Sequence, residues 1–588
     1  MKFEDYFKVN YKIPKRMLAW ELYGTGFDNF GKDDKPFWTK IPYIDPDQLL
    51  VRIDAVGLCF SDVKIIKSGE KHPRLLGRNL SKDPVIPGHE VSITVVKVGD
   101  NLKEKFRIGD RFIIQANIFY KGKNLAYGYR IKGGYAQYSV IGKEILQGDE
   151  GCYLIPLKEE IGYAEAALIE PWTCVEASFN IPYRKKLKPK GISFLINFDK
   201  NLIFEKTSFN KIIDNKNPPQ KIIIFSEDKY FLEKVRNFVE KYEIKFVVLE
   251  EKVIERMNLE NILKKENNYD GFDDIILINP GSEKIIYEMS KYLSKGGILN
   301  LINTGSNEMK TPIDIGRIHY DGIKYVGNDS YNLDKSYRIN TRSEIKQNGI
   351  IWILGAGGPM GHMHVQRAIF KKYPPKKIVA TNRQSDRIWS LQKRFRDVAR
   401  SRKIDFVCYR QKDFSKKQFS ETLKKEVNYR GFDDIIVLAL STEAVEYAFN
   451  FIAEGGVINI FGGIPKGNIV RILSKKLCSE KIRVIGSSGS NISDIKKMLT
   501  KVEEKKINTN NSVFVIGGMN CLKKALIGVS KGEFPGKVII FPQIENLNLT
   551  RVDKIQKKIP IIQKKLEDGS IWTKEAEVIL FEKYIRFR

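Results

Sequence analysis

A stretch of sequence occurs twice in this chain, about 160 residues apart, and no other feature restricts the fold as much. Leu263-Lys264-Lys265-Glu266-Asn267-Asn268-Tyr269-Asp270-Gly271-Phe272-Asp273-Asp274-Ile275-Ile276 returns as Leu423-Lys424-Lys425-Glu426-Val427-Asn428-Tyr429-Arg430-Gly431-Phe432-Asp433-Asp434-Ile435-Ile436. Each copy runs on through a helix-like segment to Lys295-Gly296-Gly297-Ile298-Leu299-Asn300 or Glu454-Gly455-Gly456-Val457-Ile458-Asn459. Each then reaches Tyr325-Val326-Gly327-Asn328-Asp329-Ser330 or Val484-Ile485-Gly486-Ser487-Ser488-Gly489. Stacked repeats have periods of roughly 20–50 residues, so this is the duplication of a whole domain. Apolar runs alternating with helix-like stretches predict α/β units on a parallel sheet in both copies.

The copies part where chemistry would sit. The second opens with the buried-strand run Ile350-Ile351-Trp352-Ile353-Leu354. Gly355-Ala356-Gly357-Gly358-Pro359-Met360-Gly361 follows, then a helix-like stretch from His362. A strand, a glycine turn and a helix start are what a pyrophosphate needs: glycines admit the phosphates to the backbone, and the helix N-terminus supplies N–H groups and positive potential. The register is AxGxxG, through Ala356, Gly358 and Gly361. In the first copy the sequence reads Lys221-Ile222-Ile223-Ile224-Phe225 and then Ser226-Glu227-Asp228-Lys229-Tyr230. Taken as the equivalent strand and turn, it has no glycine and places two carboxylates where phosphates would lie. The first copy therefore reads as a degenerate Rossmann-like domain that binds no dinucleotide and serves a structural role. The second strand of the live copy, Lys377-Ile378-Val379-Ala380-Thr381, ends without the acid that holds an NAD ribose and runs into Asn382 and Arg383. Arg383 or Arg387 could pair with a 2′-phosphate, which favours NADP(H) over NAD(H), although Asp386 lies close by.

Upstream, three short pieces offer metal-ligand chemistry: Cys59-Phe60-Ser61-Asp62, Gly88-His89-Glu90 and Glu170-Pro171. A catalytic zinc takes such a mixed sulfur, nitrogen and oxygen set and keeps one position open. The chain has five histidines and six cysteines, so one of each beside carboxylates in Gly-rich turns is a selective pattern. Ser61 stands two residues after the candidate thiolate, where a hydroxyl could relay a proton.

With GLCFSD, IPGHEVSITVVKVG, IGDRF, GGYAQY and EPW in this order, the chain resembles the medium-chain dehydrogenase/reductase family, the zinc alcohol and polyol dehydrogenases. The resemblance covers roughly residues 45–182 and 348–588 and is strongest to the sorbose-1-phosphate reductase and sorbitol dehydrogenase-like branch. It implies a GroES-like β-rich catalytic domain before the duplicated Rossmann-like domains. It further implies Cys59, His89 and Glu170 as zinc ligands, Glu90 as a ligand or exchangeable neighbour, and Ser61 as the relay hydroxyl. Two departures stand out. Lys64 occupies the place of a second relay histidine, and residues 112–138 lack the four cysteines of a structural zinc, so one zinc is expected. The implied reaction is hydride transfer between NADP(H) or NAD(H) and a secondary alcohol or ketone, a polyol or sugar. Lys67, Lys71, His72, Arg74, Arg78 and Lys82 border the implied cleft, a charge that suits a phosphorylated substrate as well as a solvated loop.

The expected domains are 1–185 (catalytic), 186–345 (inserted degenerate copy), 346–492 (nucleotide-binding) and 493–588 (completing the others). A length of 588 residues and 42% hydrophobic content fit several folded domains. The net charge of +29 is spread along the chain without a nucleic-acid motif, and no run reaches the ~20 apolar residues of a membrane span. Scattered cysteines and a charged N-terminus fit the cytoplasm. A homo-oligomer, dimer or tetramer, is left open. Two other classes remain compatible: a zinc-independent reductase of the same superfamily, and a non-catalytic scaffold built on the duplicated domains.

Overall fold

Strand order settles what the repeat builds. The computed structural model describes residues 2–249, 271–305, 308–383, 385 and 387–585. Residues 263–270 of the first repeat, and Asp386, lie outside them. The first copy contributes β1 (Ile192–Asn197), β2 (Lys221–Ser226), β3 (Lys245–Val248), β4 (Phe272–Ile278) and β5 (Leu293–Ile302). It continues with β6 (Lys310–Asp314), helix α1 (Ile315–Asp321) and β7 (Lys324–Asn328). The second contributes β8 (Ile350–Leu354), β9 (Lys377–Asn382), β10 (Asp405–Arg410), β11 (Phe432–Val437) and β12 (Ile452–Ile460). It continues with β13 (Ile469–Leu473), helix α2 (Ser474–Cys478) and β14 (Arg483–Gly486). Among the described residues each copy forms a six-stranded parallel sheet, ordered β3-β2-β1-β4-β5-β7 and β10-β9-β8-β11-β12-β14. This is the doubly wound order of dinucleotide-binding folds. The α/β class expected for both copies is thus the fold of this protein, as is the β-rich domain that precedes them.

One sequence reading needs correcting. The first copy does not begin at Lys221. Its central strand is β1, and Lys221–Ser226 is the second strand, paired at the position that β9 holds in the other copy. The turn equivalent to 355–361 is therefore 198–203, not Ser226 to Tyr230. The error has a physical source: strands of a parallel sheet are buried on both faces and read as continuous apolar runs, so periodicity cannot order them. The missed signal lies just before each first strand. Arg184, Lys188 and Gly191 precede Ile192 as Arg342, Lys346 and Gly349 precede Ile350.

These residues lock each sheet in the same way. Arg184 Nη1 donates to Asp274 at 2.9 Å, Lys188 N to Asp274 at 3.0 Å, and Ile192 N to Asp273 at 3.0 Å. In the second copy Arg342 Nη1 and Lys346 N donate to Asp434, and Ile350 N to Asp433. The repeated Phe-Asp-Asp thus anchors the chain that enters the central strand.

The chain divides into two units, Met1–Ala177 with Gly357–Phe370 and Gly489–Arg588, and Ser178–Ala356 with Lys371–Ser488. The second holds both sheets. The first holds an eight-stranded sheet ordered Thr550–Arg551, Val513–Gly518, Lys537–Phe541, Leu49–Gly57, Glu90–Val98, Arg111–Ile114 and Leu154–Pro156, with Tyr138–Ile141 also paired to Leu49–Gly57. Every residue of Leu49–Gly57 is buried. Its two charges are matched: Arg52 Nε donates to Asp54 at 2.6 Å, and Tyr6 and Thr94 hydroxyls donate to the same carboxylate at 2.7 and 2.5 Å. The late strand Lys537–Phe541 lies antiparallel to it, Ile539 opposite Gly57, and so joins the site described next. Among the described residues no helix is long and apolar enough to cross a membrane.

Candidate active site

The strand Leu49–Gly57 delivers Cys59 to the N-cap of the helix Phe60–Ser68, at the positive end of that helix. Asp62, three residues on, accepts the Cys59 N–H at 3.1 Å and fixes the turn. The loop that carries His89 is shaped by Gly88, whose φ is +96°. A side chain there would strike the Tyr135 ring at 2.5 Å. Glycine lets Tyr135 pack over the loop and donate its hydroxyl to Asp62 at 2.7 Å. Asp62, fully buried, also accepts the Gly88 N–H at 3.3 Å and pairs with His89 Nδ1 at 3.2 Å. One carboxylate therefore orients the cysteine turn, the histidine loop and the imidazole.

With Nδ1 held by Asp62, His89 Nε2 is the ring nitrogen left to face a metal. Cys59, His89 and Glu90 offer donor atoms that all lie within 4.8 Å of one another. Zinc bonds of about 2.0–2.3 Å place two ligand atoms within roughly 4.6 Å, so these three stand close to the reach of one ion. The Ser61 hydroxyl lies 2.9 Å from Cys59 Sγ and 3.4 Å from His89 Nε2. Glu90 is fully buried: Lys537 Nζ donates to its Oε1, and its Oε2 has no hydrogen-bond partner among the described residues. An orphaned buried carboxylate oxygen beside a thiol and an imidazole fits a cation, and the donor set fits zinc.

Glu170 lies outside this 4.8 Å group. It opens the helix Ile169–Ala177, and its Oε1 accepts the Cys174 thiol at 3.9 Å, one helical turn on. Burial pushes its carboxyl up, His89 opposes the rise and Glu90 adds to it. Burial alone would favour a neutral His89, but Asp62 and then Cys59 outweigh it and raise the imidazole well above its usual value. Burial likewise works against the Lys537 ammonium, and Glu90 with Cys59 more than restores it. Burial raises the Cys174 thiol, with Glu170 adding.

The glycine turn of the second copy follows β8. Gly355 has φ +89°, and its N–H and that of Ala356 both donate to Thr381 O at 2.9 Å. The chain continues through Gly357 and Gly358 into the twelve-residue helix Pro359–Phe370, which includes Met360 and Gly361; His362 N makes the first helical bond, to Gly358 O at 3.0 Å. Asn382 ends β9, Arg383 follows it exposed, and Arg387 opens the helix Arg387–Ser401, half-buried and donating to Ser385 Oγ at 2.8 Å. The first copy has no such turn. After β1 comes Asp199, whose carboxylate accepts from Asn201 N, Asn279 and Tyr331, and the helix beyond, Phe204–Thr207, has four residues.

Residues 45–147 match the alcohol dehydrogenase GroES-like domain. The chain is 26% identical over 333 residues to mannitol-1-phosphate 5-dehydrogenase of Aliivibrio fischeri, covering 54% of this chain and 77% of that protein. It is 25% identical over 319 residues to L-sorbose 1-phosphate reductase of Klebsiella pneumoniae, covering 52% and 75%. These matches support a zinc-type medium-chain dehydrogenase/reductase family for the chain.

In this dehydrogenase two contributors escaped the sequence reading. Asp62 sits inside the CFSD motif, where its role could have been read from the carboxylate that commonly steadies a ligand imidazole. Lys537 gave no signal, because it lies 447 residues from Glu90 and reaches it only through strand pairing. The cations between Cys59 and His89 serve different ends. Arg78 is spent on Asp83 and the carbonyls of Pro84, Tyr129 and Arg130. His72 Nδ1 caps Arg74 N, and burial, with Arg74 and Lys64 beside it, lowers its pKa to about 4. Arg74 lies 4.7 Å over the Tyr129 ring, which itself packs 6.1 Å from His89.

Proposed function

We propose that this chain is a zinc-dependent oxidoreductase that transfers a hydride between a nicotinamide dinucleotide and a secondary alcohol or ketone of a polyol or sugar, phosphorylated substrates included. The observation that carries the reading is the convergence of Cys59, His89 and Glu90 within 4.8 Å, with one Glu90 oxygen buried and without a hydrogen-bond partner among the described residues. Cys59 and His89 would hold the metal, with Glu90 and Glu170 as the carboxylates and one ion per chain. Bound there, zinc supplies Lewis-acid polarisation of the substrate oxygen, and the nicotinamide supplies or accepts the hydride.

The protein's own residues do the rest. Asp62 keeps His89 in one orientation. Lys537 balances the buried charge of Glu90, which would otherwise oppose a second carboxylate nearby. Ser61 Oγ, between the sulfur and the imidazole, is placed to take the proton of a substrate hydroxyl during oxidation and return it during reduction. Lys64 stands where a second relay would continue. For a phosphorylated substrate, Arg74, lying over the Tyr129 ring that packs near His89, is a candidate cation. The names of the two relatives, both acting on a sugar or polyol phosphate, point the same way.

In the same reading residues 346–492 bind the dinucleotide through 355–361, and 186–345 form an insert that does not. NADP(H) is favoured over NAD(H), with Asn382 free of the acid that would repel a 2′-phosphate and Arg383 and Arg387 as its partners. The six cysteines, all unpaired, fit the cytoplasm.

Elemental analysis of the purified protein is expected to give one zinc per chain. Two would defeat the expectation of a single ion; none after gentle purification would defeat the ligand assignment and favour a zinc-independent reductase or a scaffold. Ser61→Ala should lower turnover by roughly 10²–10⁴-fold with dinucleotide affinity unchanged; unaltered turnover would remove Ser61 from the mechanism.

A further inference from the structure

The two copies meet through equivalent surfaces. β6 and β13 pair antiparallel, Lys310 with Leu473, Thr311 with Ile472, Pro312 with Arg471, Ile313 with Val470 and Asp314 with Ile469. Pro312 and Arg471, at the centre, occupy the same place in their copies, 159 residues apart. The contacts on either side repeat under that offset. Ile315 N donates to Asn468 O at 3.2 Å and Ser474 N to Met309 O at 2.8 Å. His319 Nδ1 meets Ile460 O at 3.2 Å, and the Cys478 thiol meets Leu301 O at 3.5 Å. Leu299, Leu301 and Ile318 share one core with Ile458, Ile460 and Leu477. Reciprocal contacts of this kind define the isologous interface of a two-fold dimer. Here it lies within a single chain.

One part of the interface breaks the symmetry. Asp314 Oδ1 caps α1 by accepting Arg317 N at 2.9 Å, and its Oδ2 accepts Gly467 N at 3.0 Å. Asp321, at the other end of α1, accepts Lys466 Nζ at 2.5 Å and Arg317 Nε at 3.0 Å. The positions related to these aspartates by the offset are Leu473, which has no carboxylate, and Glu480, which pairs with Lys476 in its own copy. The first copy therefore grips the second in a way that is not returned by these positions.

What it grips is the loop after β12. That loop starts where Phe461 N and Gly462 N donate to Val437 O at 3.0 Å, while Leu438 N donates to Leu354 O at 2.9 Å. It thus leaves from the C-terminal ends of β8, β11 and β12, the side on which open α/β sheets bind dinucleotides. Its far end, Lys466 and Gly467, is held by α1.

We propose that the first copy serves the second as a built-in partner subunit, and that Asp314 and Asp321 are positioning residues which set the 461–467 loop for nicotinamide dinucleotide binding. The proposal rests on the reading of the second copy as the dinucleotide domain. It gives the copy without a glycine turn a role in the reaction.

The test uses the full-length protein, NADPH as the titrant and its fluorescence as the signal. Asp314→Asn keeps an oxygen to cap α1 and loses the acceptor for Gly467 N. Lys466→Met removes the other grip at a side chain that is 51% exposed, so that folding is not at stake. Each is expected to weaken NADPH binding about threefold to tenfold with the thermal midpoint moving by no more than ~2 °C, and Lys466→Arg to restore it. Wild-type affinity in both Asp314→Asn and Lys466→Met overturns the proposal, as does an affinity loss that appears only with a matching fall in the midpoint. Absence of NADPH binding by the unaltered chain would instead overturn the dinucleotide reading, and this proposal with it.

Discussion

The two sheets of the second unit share a strand order and an aspartate lock, yet they differ at the first turn. After β8 a glycine with positive φ opens a turn into a twelve-residue helix. After β1 the same place holds Asp199, tied down by Asn279 and Tyr331, and a helix of four residues. The first arrangement offers backbone N–H groups and a helix N-terminus to an anion; the second offers a carboxylate whose hydrogen bonds are already made. The comparison separates two kinds of constraint. Phe-Asp-Asp recurs because each sheet must anchor the chain entering its central strand, and a buried polar lock fails if any member is lost. The turn carries no such demand, so it could change while the fold stayed.

The largest expected effect tests whether only one copy is alive. Gly358→Val should abolish dinucleotide binding by blocking the backbone's approach to the pyrophosphate, whereas Asn201→Val, in the corresponding turn of the first copy, should leave it unchanged. Calorimetric titration should count one dinucleotide per chain; two would erase the distinction between the copies. Next come the locks. Asp274→Ala and Asp434→Ala should each cost about 2–4 kcal/mol in urea unfolding, because buried N–H donors lose their acceptor while Arg184 and Arg342, 23% and 26% exposed, can partly rehydrate. Similar costs would support a shared scaffold; a near-zero cost in one copy would show that the lock is vestigial there. The smallest effect concerns the second strands. Arg383→Ala should weaken NADPH by about fivefold to tenfold and NADH by less than twofold, since only the former has a 2′-phosphate to lose. Equal losses would move the 2′-phosphate contact away from β9.

Much of the candidate site was legible because its residues lie in short local motifs. Cys59 with Ser61, and His89 with Glu90, each sit within one turn, and a turn is built by its own sequence. The duplication was legible for the same reason, since Phe272-Asp273-Asp274 and Phe432-Asp433-Asp434 fill one local job in two places. The order of the strands in the first copy was not, because Ile192–Asn197 and Lys221–Ser226 are equally apolar and only pairing tells the central strand from its neighbour. Glu170 was legible as a carboxylate near a proline, but not its place outside the 4.8 Å group of Cys59, His89 and Glu90.

By itself the sequence determined the chemistry on offer: a thiol, an imidazole, carboxylates, a hydroxyl, one glycine turn and a repeated α/β unit. These follow from residue identity and spacing over a few positions. Only the tertiary structure decided that Lys537 neutralises Glu90, that Asp62 orients three elements together, and that α1 of one copy holds a loop of the other. Such contacts join residues far apart in the chain through strand pairing and core packing, and no local pattern encodes which distant strand will lie alongside.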